Sequence, residues 1–147
     1  MGLFKKKNQG ADTWAAARGT LEDKELSVRV DTKYVHKKYK HTYYIQLKYS
    51  ELEVTDLPNG KFLEKLYAFE ETTFETVKNT FEDHVAFLGT ATFGGSSYII
   101  FASNLDIRWE EYIKSTVADN VIAGVYPNDN MGYYNLILYP KYARKHK

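Results

Sequence analysis

The sequence predicts an α+β domain in which an antiparallel β-sheet carries two amphipathic helices on one face. Two apolar runs, Val85–Phe93 and Ser96–Ser103, flank the pair Gly94 and Gly95. Because glycine tolerates positive φ, this pattern is typical of a tight β-hairpin. One helical periodicity precedes the hairpin and another follows it, and further strand patterns lie outside both. The hairpin is therefore the centre of a strand–helix–strand–strand–helix–strand order.

Strand periodicity also occurs before the first helix. Residues 26–30 alternate between apolar and polar side chains, as a half-buried strand does. Residues 42–50 alternate in the same way and form a clearer strand pattern. The short apolar-rich stretch 14–18 comes earlier, and we expect it to dock on the domain through Trp14. Residues 34–41 are rich in Lys and Tyr, which indicates a loop or an extension of the sheet edge.

The first helix follows a turn in which Asn59 is a suitable N-cap, directly after Pro58. Apolar residues recur at three-to-four spacing from Leu63 onward, which predicts a long amphipathic helix ending near Thr80. Glu70 falls close to the apolar stripe, and we expect it at the margin of the buried face.

A second helix is expected after the hairpin. Apolar residues follow helical spacing over residues 105–117, and either Asn104 or Asp106 is a candidate cap. Residues 121–126 then alternate as a strand. Residues 129–139 fit either a short helix or a strand, because both periods place apolar side chains on one side.

From the strand at 42–50 to the strand at 121–126, the order of elements is βαββαβ. Each helix has one apolar stripe and must cover the sheet, and right-handed crossovers place both helices on the same face. This arrangement is the ferredoxin-like α+β sandwich. An extra N-terminal strand and a short C-terminal element extend it. We expect one domain over residues 13–140, a mobile basic arm at 1–12 and a basic tail at 141–147.

Composition limits the classes of function. The chain of 147 residues carries 20 Lys and Arg against 19 Asp and Glu, which argues against a protein whose whole surface serves nucleic acid. It has no cysteine, so disulfides, thiolate metal sites and cysteine nucleophiles are excluded, and we expect the cytoplasm. The longest apolar run, residues 98–102, is far too short to span a membrane.

No pattern predicts a catalytic, cofactor-binding or metal-binding residue. The histidines at positions 36, 41, 84 and 146 lack metal-ligand spacing. His84 follows Asp83 at a strand start, where acid–base work is conceivable, but an exposed loop histidine suits the position better. Neighbouring carboxylates such as Glu70 and Glu71 point about 100° apart on a helix and do not face a common substrate. The sequence therefore favours a protein that is not an enzyme and has no cofactor.

One segment interleaves basic and aromatic side chains and is the candidate interaction surface. Its residues are Lys33, Tyr34, His36, Lys37, Lys38, Tyr39 and Lys40. In such a segment, lysines can meet phosphates while tyrosines stack on bases. The alternative is a solvated edge whose lysines prevent aggregation between strands, and the near-zero net charge favours this alternative.

The chain carries the run Tyr43-Tyr44-Ile45-Gln46-Leu47, then the turn Leu57-Pro58-Asn59-Gly60, and it closes with Leu138-Tyr139-Pro140. With Trp14 near the start and Trp109 in the second helix, it resembles the bacterial family of domains of unknown function 695, DUF695. The resemblance covers residues 12–140 and implies no catalytic residues. Where the family usually has a late Trp, this chain has Met131 or Gly132.

The DUF695 resemblance also implies an expectation about RNA. The regulator of ribonuclease activity B family is ferredoxin-like too, and a distant relationship to it would imply a role linked to RNA. Such a fold analogy is weak evidence for function, because one fold hosts many activities.

Three functions stay open at this point. The first is a non-enzymatic binding or regulatory domain that holds another protein on a sheet face or edge. The second is an RNA-linked role, by RNA binding through residues 33–41 or by control of a ribonuclease. The third is an enzyme with a small pocket between sheet and helices. The 13 tyrosines and the lack of catalytic patterns favour the first.

Overall fold

A computed structural model of the chain describes residues 13–140. The predicted basic arm at 1–12 and basic tail at 141–147 lie outside the described residues. The elements follow one another in the order β1 (Trp14–Leu21), β2 (Lys24–Asp31), β3 (His41–Lys48), α1 (Gly60–Phe81), β4 (Val85–Phe93), β5 (Ser96–Ser103), α2 (Trp109–Thr116) and β6 (Ile122–Tyr126). A π-helical segment, Tyr134–Leu138, comes last. The α+β class predicted from the sequence is confirmed.

The strands form one six-stranded sheet in the order β1-β2-β4-β5-β3-β6. Each strand is antiparallel to its neighbours. Helix α1 joins β3 to β4, with β5 lying between these two strands in the sheet. Helix α2 joins β5 to β6, with β3 lying between these two strands in the sheet. Both connections must therefore cross a face of the sheet, and strands β1 and β6 are its two edges.

Both helices pack on one face, as predicted. The core of this face contains Tyr43, Ile45, Leu66, Val77, Phe87, Ile99, Phe101, Trp109 and Ile113. Trp109 of α2 is 2% exposed, and its ring lies 5.0 Å from that of Tyr43. Its indole N–H donates to the Tyr44 carbonyl at 3.0 Å, so the one polar group of this large side chain has a partner.

The opposite face of the sheet is covered as well. Its core contains Val28, Val30, Ala86, Leu88, Ala91, Ile100, Ala102, Met131, Tyr134 and Leu138. The last three belong to the C-terminal segment, which lies across the strands as a helical turn. The helical alternative for residues 129–139 is thus the one that the chain adopts. The sheet requires this cover because β4 and β5 carry apolar side chains on both sides.

Helix α1 begins and ends close to the predicted positions. The Asn59 side chain accepts the N–H of Phe62 at 3.1 Å and caps the first turn. The helix continues for 22 residues to Phe81. It is amphipathic, and within residues 13–140 no helix is long and apolar enough to span a bilayer.

The prediction for the stretch 14–18 was incomplete, since these residues belong to the edge strand β1. The strand pairs along its whole length with β2. Glu22 and Asp23 form the connecting turn, with φ of +53° and +67°. Turns of this kind usually carry Asn-Gly or Asp-Gly, so an acidic pair does not signal a hairpin. Trp14 does dock on the domain, with its ring 5.4 Å from that of Phe87.

The predicted caps of α2 were wrong. Arg108 holds the N-cap position and makes no side-chain capping bond. Asn104 instead accepts the backbone N–H of Lys40 at 2.8 Å. The Asp106 carboxylate lies 3.0 Å from Nε2 of His41. Both polar side chains contact residues at the start of β3. The helix begins only at Trp109.

The central hairpin has the strands predicted for it. Gly94 and Gly95 connect β4 to β5 with φ of +66° and +102°. The Gly95 carbonyl accepts the N–H groups of Tyr49 and Ser50 at 2.8 and 3.2 Å. A Cβ added to Gly95 would lie 2.9 Å from the carbonyl oxygen of Leu52. The turn is therefore enclosed by the loop that follows β3.

We expect Gly95→Ala to destabilise the domain by about 1–3 kcal/mol, because the new side chain meets backbone and imposes strain at positive φ. Gly94→Ala should cost less, since its Cβ would meet flexible side chains rather than backbone, with Lys24 nearest at 3.3 Å. Urea unfolding measures both. Gly60→Ala is the control, because its Cβ would have open space. A Gly95 variant as stable as the control would contradict the turn geometry.

Candidate interaction surface

The basic segment between β2 and β3 turns its aromatic side chains inward. The rings of Tyr34 and Tyr39 pack edge to face at 6.2 Å, against the core opposite the helices. Burial raises the pKa of both phenols. The exposed residues of the segment are Lys33, His36, Lys37, Lys38 and Lys40. The segment thus presents basic groups to solvent, whereas its tyrosines support the fold.

The histidines occupy separate positions. His84 is exposed in a short 3-10 turn, as predicted for a loop histidine. His41 is buried, and its Nδ1 accepts the N–H of Asn128 at 3.0 Å. That bond leaves the ring proton on Nε2, which faces Asp106. Within residues 13–140 the structure has no group of three or more metal-ligating side chains.

A groove of about 750 Å³ opens between the C-terminal half of α1 and strands β1, β2 and β4. Its floor is aromatic and its rim carries both signs of charge. Its lining includes Trp14, Phe74, Phe87, Lys33, Lys78 and Asp83. The buried Asp31 carboxylate accepts the Thr13 hydroxyl and the N–H of Lys33. Among the described residues that line the groove there is no His or Ser. Its floor suits an apolar or aromatic group.

A buried ion pair connects α1 to the sheet, and the sequence prediction for its acid was wrong. Glu70 is 2% exposed rather than marginal. Arg29 of β2 donates from both terminal nitrogens to its carboxylate, one at 3.1 Å. The Thr90 hydroxyl donates to the same group at 2.6 Å, and the Tyr67 ring lies 4.6 Å from the guanidinium carbon. A carboxylate can be buried at this position because three donors satisfy it.

The electrostatics of this pair follow from its burial. Loss of solvent raises the pKa of Glu70, while the charge and hydrogen bonds of Arg29 and the hydroxyl of Thr90 act in the opposite direction. The position is central in the buried stripe of α1, between Leu66 and Thr73. Without Arg29, the Glu70 carboxylate would be a buried charge with no opposite charge beside it.

A second surface, which sequence reasoning missed, lies on the face opposite the helices, beside β6. We call it the tyrosine patch, and its residues are Tyr44, Gln46, Tyr98, Ile122, Tyr126 and Tyr133. Gln46 pairs directly with Tyr98 of β5 and Ile122 of β6, so the three side chains share a face. Tyr126 stacks on Tyr44 at 5.1 Å and on Tyr133 at 6.0 Å. Residues distant in the sequence thus form one aromatic surface.

The patch is tightly assembled and uncharged. A Cβ at Gly124 would lie 2.6 Å from the Tyr44 hydroxyl, so the glycine allows this ring to lie against β6. Burial raises the pKa of Tyr126, and the neighbouring Tyr44 and Tyr98 raise it further. The Tyr126 phenol is therefore neutral at ordinary pH.

Part of the tyrosine patch is accessible to solvent. Ile122 is 43% exposed and Tyr126 is 40% exposed. Within the part of the chain that the structure describes, β6 pairs only with β3, so its outer side is open. Exposed aromatic and aliphatic groups beside an open strand are typical of an interaction surface.

The fold and these surfaces define a single-sheet α+β domain that displays a tyrosine patch next to an edge strand. The model of a family of unknown function, DUF695, matches residues 12–130, and the chain belongs to this family. The resemblance noted from the sequence is thereby confirmed. No curated protein matches the chain, and no solved structure matches it.

We expect Glu70→Ala to destabilise the domain by about 3–5 kcal/mol, because the largely buried Arg29 loses the carboxylate that neutralises its charge. The double variant Glu70→Leu with Arg29→Met removes both charges and should recover most of that loss. Urea unfolding of Glu70→Leu, Arg29→Met and the double variant gives the coupling between the two residues. Glu71→Ala, at the exposed neighbouring position, is the control and should change stability by less than about 0.5 kcal/mol. If the changes in unfolding free energy of the two single variants simply added up in the double variant, the pairing would be contradicted.

Proposed function

We propose that this chain acts by binding another protein, and that the partner docks on the tyrosine patch and the β6 edge. The observation that carries this proposal is the stack of Tyr44, Tyr126 and Tyr133, partly open to solvent. Tyrosine offers a large apolar area with one polar tip, and it is enriched among the residues that dominate protein interfaces.

The preformed geometry of the patch supports the proposal. The Asp129 carboxylate accepts the Thr42 hydroxyl at 2.7 Å and the N–H of Tyr133 at 2.8 Å. These bonds fix the position of Tyr133 above β6. Because the rings are already ordered, a partner that covers them loses little side-chain entropy on binding.

The edge of β6 supplies a second element of recognition. An extended segment of the partner can pair with Ile122–Tyr126 through backbone hydrogen bonds, as in strand addition. Its side chains would then alternate between the two faces of the sheet, and every second one would meet the tyrosine patch. The backbone would provide affinity and the patch would provide selectivity.

We also propose that β3 to β6, together with the two helices, is a ferredoxin-like βαββαβ unit. The strand order β4-β5-β3-β6 and the packing of both helices in one core support this assignment. The hairpin β1–β2 is then an addition beside β4. In this unit the tyrosine patch lies on the sheet face opposite the two helices, beside the C-terminal segment that covers part of that face.

We expect Tyr126→Ala and Ile122→Arg each to weaken partner binding by at least about tenfold, because they remove or charge the exposed part of the patch. Partners are captured from the native lysate with the wild-type chain, purified, and titrated against each variant by calorimetry. Lys65→Ala, on the exposed side of α1, is the matched control. Equal affinity of the patch variants and the control for every captured protein would overturn the proposal.

A second candidate function is RNA binding by the basic segment, which the exposed Lys37, Lys38 and Lys40 favour. Replacing all three by Gln should make the salt dependence of binding shallower, by about 0.7 log units per lost phosphate contact for single-stranded RNA. Filter binding of RNA at several salt concentrations measures this slope. The same replacement at Lys61 and Lys65 is the control. Absence of binding at low salt would exclude the candidate.

A further inference from the structure

Strand β1 is a long open edge with few of the features that protect edge strands. It has eight residues, and the six between Trp14 and Leu21 are exposed. Natural edge strands are commonly protected by Lys, Pro, a bulge or short length. In β1 the only charged residue is Arg18, and the strand has neither lysine nor proline. Its small side chains leave the backbone accessible from the side that faces away from β2.

The hairpin turn determines which backbone groups face outward. Glu22 and Asp23 form a two-residue turn, so the closing pair Leu21 and Lys24 exchanges hydrogen bonds within the hairpin. From this closing pair toward Trp14, hydrogen-bonded and non-hydrogen-bonded residue pairs alternate along the hairpin. The residues that direct N–H and C=O away from β2 are Trp14, Ala16, Arg18 and Thr20. Within residues 13–140, no other strand pairs with this side of β1.

We propose that a second copy of this chain pairs with this edge, β1 against β1 in antiparallel orientation, and extends the six-stranded sheet across a twofold axis. Such an axis is perpendicular to the sheet, and outward-facing residues must meet outward-facing residues. The register with the largest number of facing outward pairs, four, places Ala17 opposite Ala17 of the second copy. Ala16 then faces Arg18, and Trp14 faces Thr20.

The charges and side-chain sizes of β1 suit this register. Each Arg18 lies opposite an alanine, whereas a shift of the axis to position 18 would oppose two arginines directly. On the other face, Ala15 meets Gly19, so no large side chains collide. Four facing pairs exchange two hydrogen bonds each, about eight in all. The helices of both copies lie on the same side of the joined sheet.

Sedimentation of the full chain tests the proposal over roughly 5 to 500 µM, because dimer content depends on concentration. The mass should rise from the monomer value of 17.1 kDa toward twice that value. Ala16→Pro removes one outward N–H without touching the bonds to β2, and Ala16→Lys adds charge to the edge. Both variants should stay monomeric, whereas Ile122→Lys at the opposite edge should still dimerise. A wild-type monomer at every concentration would overturn the proposal.

A cross-linking experiment fixes the register. The chain has no native cysteine, so a single introduced thiol is unambiguous. In the proposed dimer the two Ala17 positions form a non-hydrogen-bonded pair, with Cα atoms about 4.5 Å apart. This distance permits a disulfide, which needs roughly 4.4–6.8 Å.

Mild oxidation of Ala17→Cys should therefore give a covalent dimer on a non-reducing gel. Ala15→Cys is the matched control, because its two copies would lie about 14 Å apart along the strands at about 3.4 Å per residue. If Ala15→Cys formed a covalent dimer and Ala17→Cys did not, the proposed register would be refuted. The β6 variants of the binding experiment do not alter β1, so either proposal can fail without the other.

Discussion

The two-sided burial of the central strands is the constraint on which the structure depends. In β4 and β5, Phe87 and Ile99 point to the helices, while Leu88 and Ile100 point to the other face. A sheet with two apolar faces needs cover on both, because each exposed face would leave a large apolar surface in water. The helices meet this requirement on one side. The π-helical segment and the inward tyrosines of the loop before β3 meet it on the other.

The sequence predicted those parts of the fold that depend on neighbouring residues, such as turns and helix caps. The glycine pair defined the hairpin because positive φ restricts the choice of residue, and Asn59 defined the start of α1 by its capping chemistry. The hairpin β1–β2 escaped notice because its turn, Glu22 and Asp23, adopts positive φ without glycine. Glu70 was misplaced because its burial depends on Arg29, 41 positions away in the chain.

The tyrosine patch was even harder to predict from the sequence, because it is formed by residues that are distant along the chain. Alternation over residues 42–50 predicted the strand that carries Tyr44, and the composition showed that tyrosine is abundant. Nothing local indicated that Tyr98, Tyr126 and Tyr133 would join it, since the strand order brings them together. Conversely, the interleaved Lys and Tyr pattern before β3 suggested stacking on bases, whereas its rings are half-buried against the core. A one-dimensional pattern does not distinguish a tyrosine that supports the core from one that faces solvent.

The cover opposite the helices has a consequence for biosynthesis. Since translation proceeds from the N-terminus, all six strands leave the ribosome before Tyr134 and Leu138 do. Until then, the nascent sheet exposes the apolar side chains that these two residues later shield. The domain therefore passes through an interval in which it is vulnerable to self-association and to capture by chaperones. That interval ends when the last helical turn emerges and closes over the sheet.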